Sequence, residues 1–394
     1  MGLKNVSGKY AIVGVGYTPQ GSVPGRSALS FHLEACANAI ADAGLKKDDI
    51  DGLICYRRFD PLFGNEPEVT PYLVAQMLGI EPSYISQEAN CSRVHLFHAI
   101  AALEMGLCNY VLISYGDNAA SGKRTFLKED THGEPPTLLS AMGHGGFVAN
   151  YALAARRAMY EYGTGPETWC EIAVSQRQWA RLNPIAQLRD KPLDKDGYFS
   201  SPMVVEPFRL CDSCLISDGG RAIVVTTVER ARDLKHPVVA ILGVGFGHPC
   251  YDVHQSPYLT GNTGAKRAIR DALGMAGLSL NDIDACQIYD CFTYTVEVTL
   301  QDYGFFEPGE CLGWMREVGI GPGGKLPINT SGGLLAEAYF MGLTPLSEAV
   351  MQLMGRCGSR QLGPATGTKE PEVILVSDNG GVLQSHCCVI LGRM

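Results

Sequence analysis

No apolar run in the sequence reaches the roughly 18 residues a helix needs to cross a bilayer, so no membrane span is expected. Positive charge is scarce as well. The 32 Lys and Arg are outnumbered by 41 Asp and Glu, for a formal charge of −9 and a pI near 5.5. A nucleic-acid partner would be met by a basic stripe, so none is expected. The opening Met1-Gly-Leu-Lys-Asn-Val-Ser-Gly8 lacks a secretory apolar stretch, and Val6 stands where N-myristoylation requires a hydroxyl. Together these absences point to the cytoplasm. Zinc spacing is missing too. Among 14 cysteines, Cys211 and Cys214 form the only CxxC, with no second pair and no His-x-x-x-His partner. No metal is expected, and the scattered cysteines read as packed, reduced thiols.

What remains is an ordinary soluble composition with 46% hydrophobic and 19% charged residues. At 394 residues the chain has room for two domains or one large duplicated one. The pattern favours duplication. Tyr10-Ala-Ile-Val-Gly-Val-Gly-Tyr-Thr18 is echoed by Val239-Ala-Ile-Leu-Gly-Val-Gly-Phe-Gly-His248. Ala43-Gly-Leu, followed by Asp49-Ile-Asp51, is echoed by Ala276-Gly-Leu and Asp282-Ile-Asp284. Tyr110-Val-Leu-Ile-Ser114 is echoed by Val373-Ile-Leu-Val-Ser377. Matched pairs in one order predict two βαβ-rich halves, 1–237 and 238–394, related by a pseudo-twofold axis. Residues 115–200, with helices near 146–163 and 167–182, have no counterpart and read as an insertion that covers a substrate. A helix is also expected from about Ser92 to Met105.

The chain is organised around Pro327-Ile-Asn-Thr-Ser-Gly-Gly-Leu-Leu-Ala-Glu-Ala-Tyr-Phe-Met-Gly342. Gly332 and Gly333 accept positive φ and let another group approach the backbone. Tyr339 follows, and Thr344-Pro345 reads as the N-cap and first turn of a helix. Two equivalent halves, this Asn-x-x-Gly-Gly turn and a late Asn379-Gly380-Gly381 resemble the thiolase superfamily. Within it the chain is similar to the lipid-transfer-protein branch, related to sterol-carrier-protein-x thiolases. The resemblance implies the layered α/β thiolase fold. It also implies that Tyr339 replaces the histidine of the glycine-rich motif, and that Tyr289-Asp290-Cys291-Phe292 replaces Asn/His-Glu-x-Phe. Asn379-Gly380-Gly381 then stands in the C-terminal turn, without the cysteine base. Steroid side-chain aldolases of this branch carry Tyr-Asp-x-Phe and Glu-Ala-Tyr, and the resemblance gives Tyr289 and Tyr339 their retro-aldol role. Relatives of this kind, and the benzoylsuccinyl-CoA thiolase type, work with a small zinc-ribbon/OB-fold subunit. A homodimer joined through the strand at 110–114, and a heterotetramer with that subunit, are the implied assemblies.

Cys91 precedes the helix expected from Ser92, where partial positive charge stabilises a thiolate. Alignment through Asn90-Cys91-Ser92 puts Cys91 at the superfamily's nucleophile position; counting back from Gly106 puts Ala89 there. Cys291 ranks below Cys91 as a nucleophile. His95 and His98 share a helix face and read as packing, whereas His144, in the insertion, is a candidate substrate contact with Cys291 and Asn329. The first expectation is thiolysis. Cys91 attacks a bulky 3-oxoacyl-CoA, coenzyme A enters as co-substrate, and no tightly bound cofactor takes part. Tyr289, Tyr339 and Asp290 complete the catalytic set, with Gly332, Gly333, Asn379, Gly380 and Gly381 stabilising the oxyanion. The alternatives are retro-aldol cleavage of a 3-hydroxyacyl-CoA by the tyrosines, and a non-catalytic acyl-CoA-binding subunit.

Overall fold

The computed structural model describes residues 5–56, 69–88, 92–122, 143–144, 146–249 and 260–394. Among the described residues eleven strands are formed: β1 (Tyr10–Tyr17), β2 (Gly52–Tyr56), β3 (Tyr84–Glu88), β4 (Val111–Asn118), β5 (Met203–Val205), β6 (Phe208–Arg209), β7 (Asp218–Thr227), β8 (Val239–Gly247), β9 (Ala285–Gln287), β10 (Val373–Gly380) and β11 (Ser385–Arg393). Nine of them make one sheet in the order β3-β2-β4-β7-β1-β8-β11-β10-β9, while β5 and β6 pair separately. Read outward from the β1–β8 junction, the first four strands on each side match, and β3 is an extra edge strand on the β1 side. β1–β7 and β4–β7 are antiparallel and β2–β4 parallel; β8–β11 and β10–β11 are antiparallel and β9–β10 parallel.

The sequence echoes have a physical cause on both sides. A Cβ added at Gly16 would lie 1.9 Å from the Ala35 carbonyl oxygen, and one at Gly245 would lie 1.8 Å from that of Ala268. Glycine strands and alanine-faced helices, Ala28–Ala43 and Gly264–Ala276, are therefore in backbone contact twice over. Each helix ends at a left-handed glycine, Gly44 or Gly277. The Asp51 carboxylate then accepts from the Asn109 and Tyr110 amides, as that of Asp284 accepts from the Glu372 and Val373 amides. The repeated Asp-Ile-Asp thus anchors β4 and β10 alike.

On the opposite face of the sheet, the helices Ser92–Glu104 and Leu343–Leu353 fill one buried core with Ile12, Ile54, Ile113, Ile223, Val376 and Val389. Residues 115–118, at the start of the expected insertion, continue β4 and pair with β7. This corrects the expected dimer edge: β4 lies between β2 and β7, so both its edges are filled. Thr344 is also displaced from its expected place. The helix starts at Leu343, and the Thr344 hydroxyl, inside the first turn, links the Ala338 carbonyl to the Phe340 amide. Among the described residues, no helix is long and apolar enough to cross a membrane.

Candidate active site

The glycine-rich turn is built against the segment that follows β9. The Asn329 amide donates to the Cys286 carbonyl at 3.0 Å, and Asn329 Oδ1 accepts from the Ile288 amide at 2.6 Å. Asn329 takes φ 52°, a left-handed conformation that asparagine tolerates. Below it, Thr330 donates to Glu348, itself held by the buried Arg360, while Gln287 and Gln352 donate to Thr330. The turn therefore stands on a buried polar network.

Gly333 has φ 63°, and a Cβ there would lie 2.2 Å from Asp290 Oδ2. The glycine lets that carboxylate reach the start of the short Gly333–Ala336 helix, where it accepts from the Leu334 and Leu335 amides at 2.9 and 3.2 Å. Burial pushes the Asp290 carboxyl up to about 7, against the opposing pull of these two amides. Asp290 thus holds the turn in place. Gly332 fits closely for another reason, since a Cβ there would meet that of Ala180 at 2.7 Å.

These restraints aim two tyrosines at one another. The Tyr289 and Tyr339 hydroxyls are 2.8 Å apart, and their rings meet edge to face at 6.4 Å. Tyr339 donates to Met341 Sδ at 3.1 Å, which makes Tyr289 the donor within the pair. Tyr289 is only 4% exposed, whereas Tyr339 is half-buried. Burial, reinforced by neighbouring Tyr339 and Cys291, raises the Tyr289 phenol well above its ordinary value and keeps it protonated.

The loop 213–217 straps the motifs together. The Cys214 amide donates to the Cys291 carbonyl, the Leu215 amide to that of Leu334, and the Tyr339 amide to Ser217 Oγ. The helices Gly146–Tyr162 and Pro166–Leu182 add a lid of buried side chains. Tyr151, Trp169 and Cys170 join Tyr289, Cys291, Phe292 and Leu334 in one cluster, with Val382 and Leu383 of the turn after Gly380 and Gly381. Tyr151 and the strap were not singled out in the sequence. Tyr151 donates to Asn379 Oδ1 at 2.9 Å and lies within hydrogen-bonding reach of the Cys291 thiol, which burial pushes up to about 12.

Of the expected site residues, the structure gathers Tyr289, Tyr339, Asp290, Cys291, Asn329, Gly332, Gly333 and Asn379. Gly380 and Gly381 continue from Asn379 into the turn between β10 and β11. His144 meets Asn150 Oδ1 at 2.7 Å, ahead of the lid helix. Cys91 lies outside the described residues; the helix after it begins at Ser92. His95 stacks on Tyr56 at 3.8 Å, and His98 lies 3.2 Å from Ser86 Oγ. Cys211 and Cys214 are free thiols.

The family described as Thiolase C-terminal domain-like matches residues 245–393. A steroid side-chain-cleaving aldolase of Thermomonospora curvata is 34% identical over 88% of this chain and 91% of its own. A 17-hydroxy-3-oxo-4-pregnene-20-carboxyl-CoA lyase of Mycobacterium tuberculosis is 33% identical over 98% of this chain and 100% of its own. The chain belongs to the thiolase superfamily. Within the superfamily it lies in the lipid-transfer-protein branch. A solved Ltp2–ChsH2(DUF35) aldolase is similar at a TM-score of 0.86 and 30% identity, covering 98% of each chain. This thiolase-superfamily chain is an enzyme of the thiolase and lyase type, which sets aside a non-catalytic subunit.

Proposed function

We propose that this enzyme cleaves the C2–C3 bond of a bulky 3-hydroxyacyl-CoA by a retro-aldol reaction, releasing a ketone or aldehyde and a shorter acyl-CoA. The 2.8 Å contact between the Tyr289 and Tyr339 hydroxyls carries this reading. Tyr339, the more accessible phenol, acts as base on the 3-hydroxyl, and Tyr289 stabilises its phenolate by donating a hydrogen bond. As the O–H proton passes to Tyr339, the C3 carbonyl forms and the C2–C3 electron pair moves into an enolate of the thioester. Tyr339 then returns the proton to C2, so no external acid or base is consumed. Coenzyme A enters as part of the substrate rather than as a free co-substrate. The similarity to the aldolase and the carboxyl-CoA lyase supports this choice, and a steroid-like ring is the substrate class it favours.

Thiolysis by Cys91 is the second reading, favoured by the helix that starts at Ser92 immediately after it. The two separate on one variant. Cys91→Ser is expected to cleave a ring-bearing 3-hydroxyacyl-CoA at close to the wild-type rate, with no loss of free thiol from added CoA. Failure of the wild type to cleave that substrate, together with a CoA-consuming cleavage of the matching 3-oxoacyl-CoA that Cys91→Ser loses, would establish thiolysis instead. We further propose a cytoplasmic homodimer that works with a small DUF35-type zinc-ribbon/OB-fold subunit in a heterotetramer, supported by the two-component aldolase of similar fold. A division at residues 237/238, just ahead of β8, is the domain boundary the mirrored strand order supports.

A further inference from the structure

Asn379 keeps an N–H donor that the fold does not use. The residue is 2% exposed and lies near the end of β10, on the same strand face as Ser377, whose Oγ accepts from the Tyr289 amide at 3.0 Å. Tyr151 donates to Asn379 Oδ1 at 2.9 Å. Oδ1 is the end of the carboxamide turned toward Tyr151, and Nδ2 points the other way. Nδ2 is buried and has no acceptor among the described residues. A buried donor left unpaired destabilises a fold, and each instance calls for an explanation. The turn that follows is itself held against its preference. Gly381, Val382 and Leu383 have φ of 58°, 53° and 64°, and a β-branched residue in this region is strained.

We propose that Asn379 Nδ2 donates to the thioester oxygen of the bound acyl-CoA, and that Tyr151 is the positioning residue that holds the carboxamide in its donating orientation. The assignment rests on the acyl-CoA cleavage reading above, because it needs an oxygen on which charge develops. When the C2–C3 bond breaks, its electron pair moves into C1–C2 and the thioester oxygen becomes an enolate oxygen. When C2 takes a proton, the charge leaves that oxygen again. A neutral amide aimed at this atom gains strength at the moment the charge appears and exchanges no proton of its own. The orienting tyrosine comes from the helix Gly146–Tyr162, so the donor's orientation depends on how that helix packs over the site.

The probe is propionyl-CoA in D2O, with deuterium entry at C2 read by mass spectrometry. It reports enolate formation whichever way the forward reaction cleaves. Asn379→Asp keeps the size and the Tyr151 contact but loses the donor. Exchange should fall by about 10²–10³-fold with little change in propionyl-CoA affinity. Tyr151→Phe should lower exchange about tenfold in the wild-type background and have no further effect in the Asn379→Asp background. A merely structural tyrosine would be equally harmful in both. If Asn379→Asp does not fold, Tyr151→Phe alone decides, by lowering the exchange rate at unchanged propionyl-CoA affinity. Wild-type exchange rates in both variants would overturn the proposal while leaving the tyrosine-pair reading intact. Absence of exchange in the wild-type protein would overturn both.

Discussion

Tyr339 and Tyr289 differ less in chemistry than in surroundings. One is half-buried beside a thioether, a weak acceptor; the other is enclosed and donates to its partner. Tyr339→Phe should therefore lower kcat by about 10²–10⁴-fold with little change in melting temperature. Tyr289→Phe removes the hydrogen bond that stabilises the phenolate, so the rise of kcat/KM with pH should move to higher pH. A pH–rate profile checks this, and an unmoved limb would remove Tyr289 from the role of donor. At this scale the paired tyrosines and the glycine turn were legible, because their spacing repeats a family motif. Tyr151 was not. It stands in a stripe with Ala154, Ala155 and Ala158, where a helical tyrosine reads as packing. Its polar partner, Asn379, is 228 positions away in the chain.

At the scale of the element, the lid helices are anchored to the helix Thr293–Tyr303 through Glu297. That carboxylate accepts from Trp169 Nε1 at 2.7 Å and from the Thr164 hydroxyl. Burial pushes Glu297 up from 4.5 to about 7, with these two donors opposing. The folded protein thus keeps a proton that the unfolded chain releases near pH 4.5. Stability should fall as pH rises from about 4.5 to 7, and level off above. In Glu297→Gln the amide accepts from Trp169 and donates to Thr164, whose hydroxyl already reaches Thr168. This variant should flatten that slope in urea-unfolding midpoints and gain on the order of 3 kcal/mol at pH 8. A slope equal to that of the wild type would show that Glu297 is not the group responsible. The anchoring helix left no mark in the sequence, because it is buried nearly all round and has no polar face to give a period. The helix Pro166–Leu182 was legible, opened as it is by Pro166.

For the whole molecule, the mirrored sheet was legible because identical close packing demands the same residues twice: glycine on β1 and β8, alanine on the helices above them. The fate of β4 was not. β7, which fills its free edge, arrives after about a hundred intervening residues, and local pattern carries no trace of such a long-range pairing. The same fold supports thiolysis and aldol cleavage alike, so the site must decide the reaction. The most direct test is product analysis by mass spectrometry, with a ring-bearing 3-hydroxyacyl-CoA, the complete enzyme with its partner subunit, and no free CoA. Tyrosine-pair chemistry predicts one ketone or aldehyde for each shortened acyl-CoA formed. An enzyme that leaves this substrate intact, yet turns the matching 3-oxoacyl-CoA into two thioesters once CoA is supplied, would contradict it.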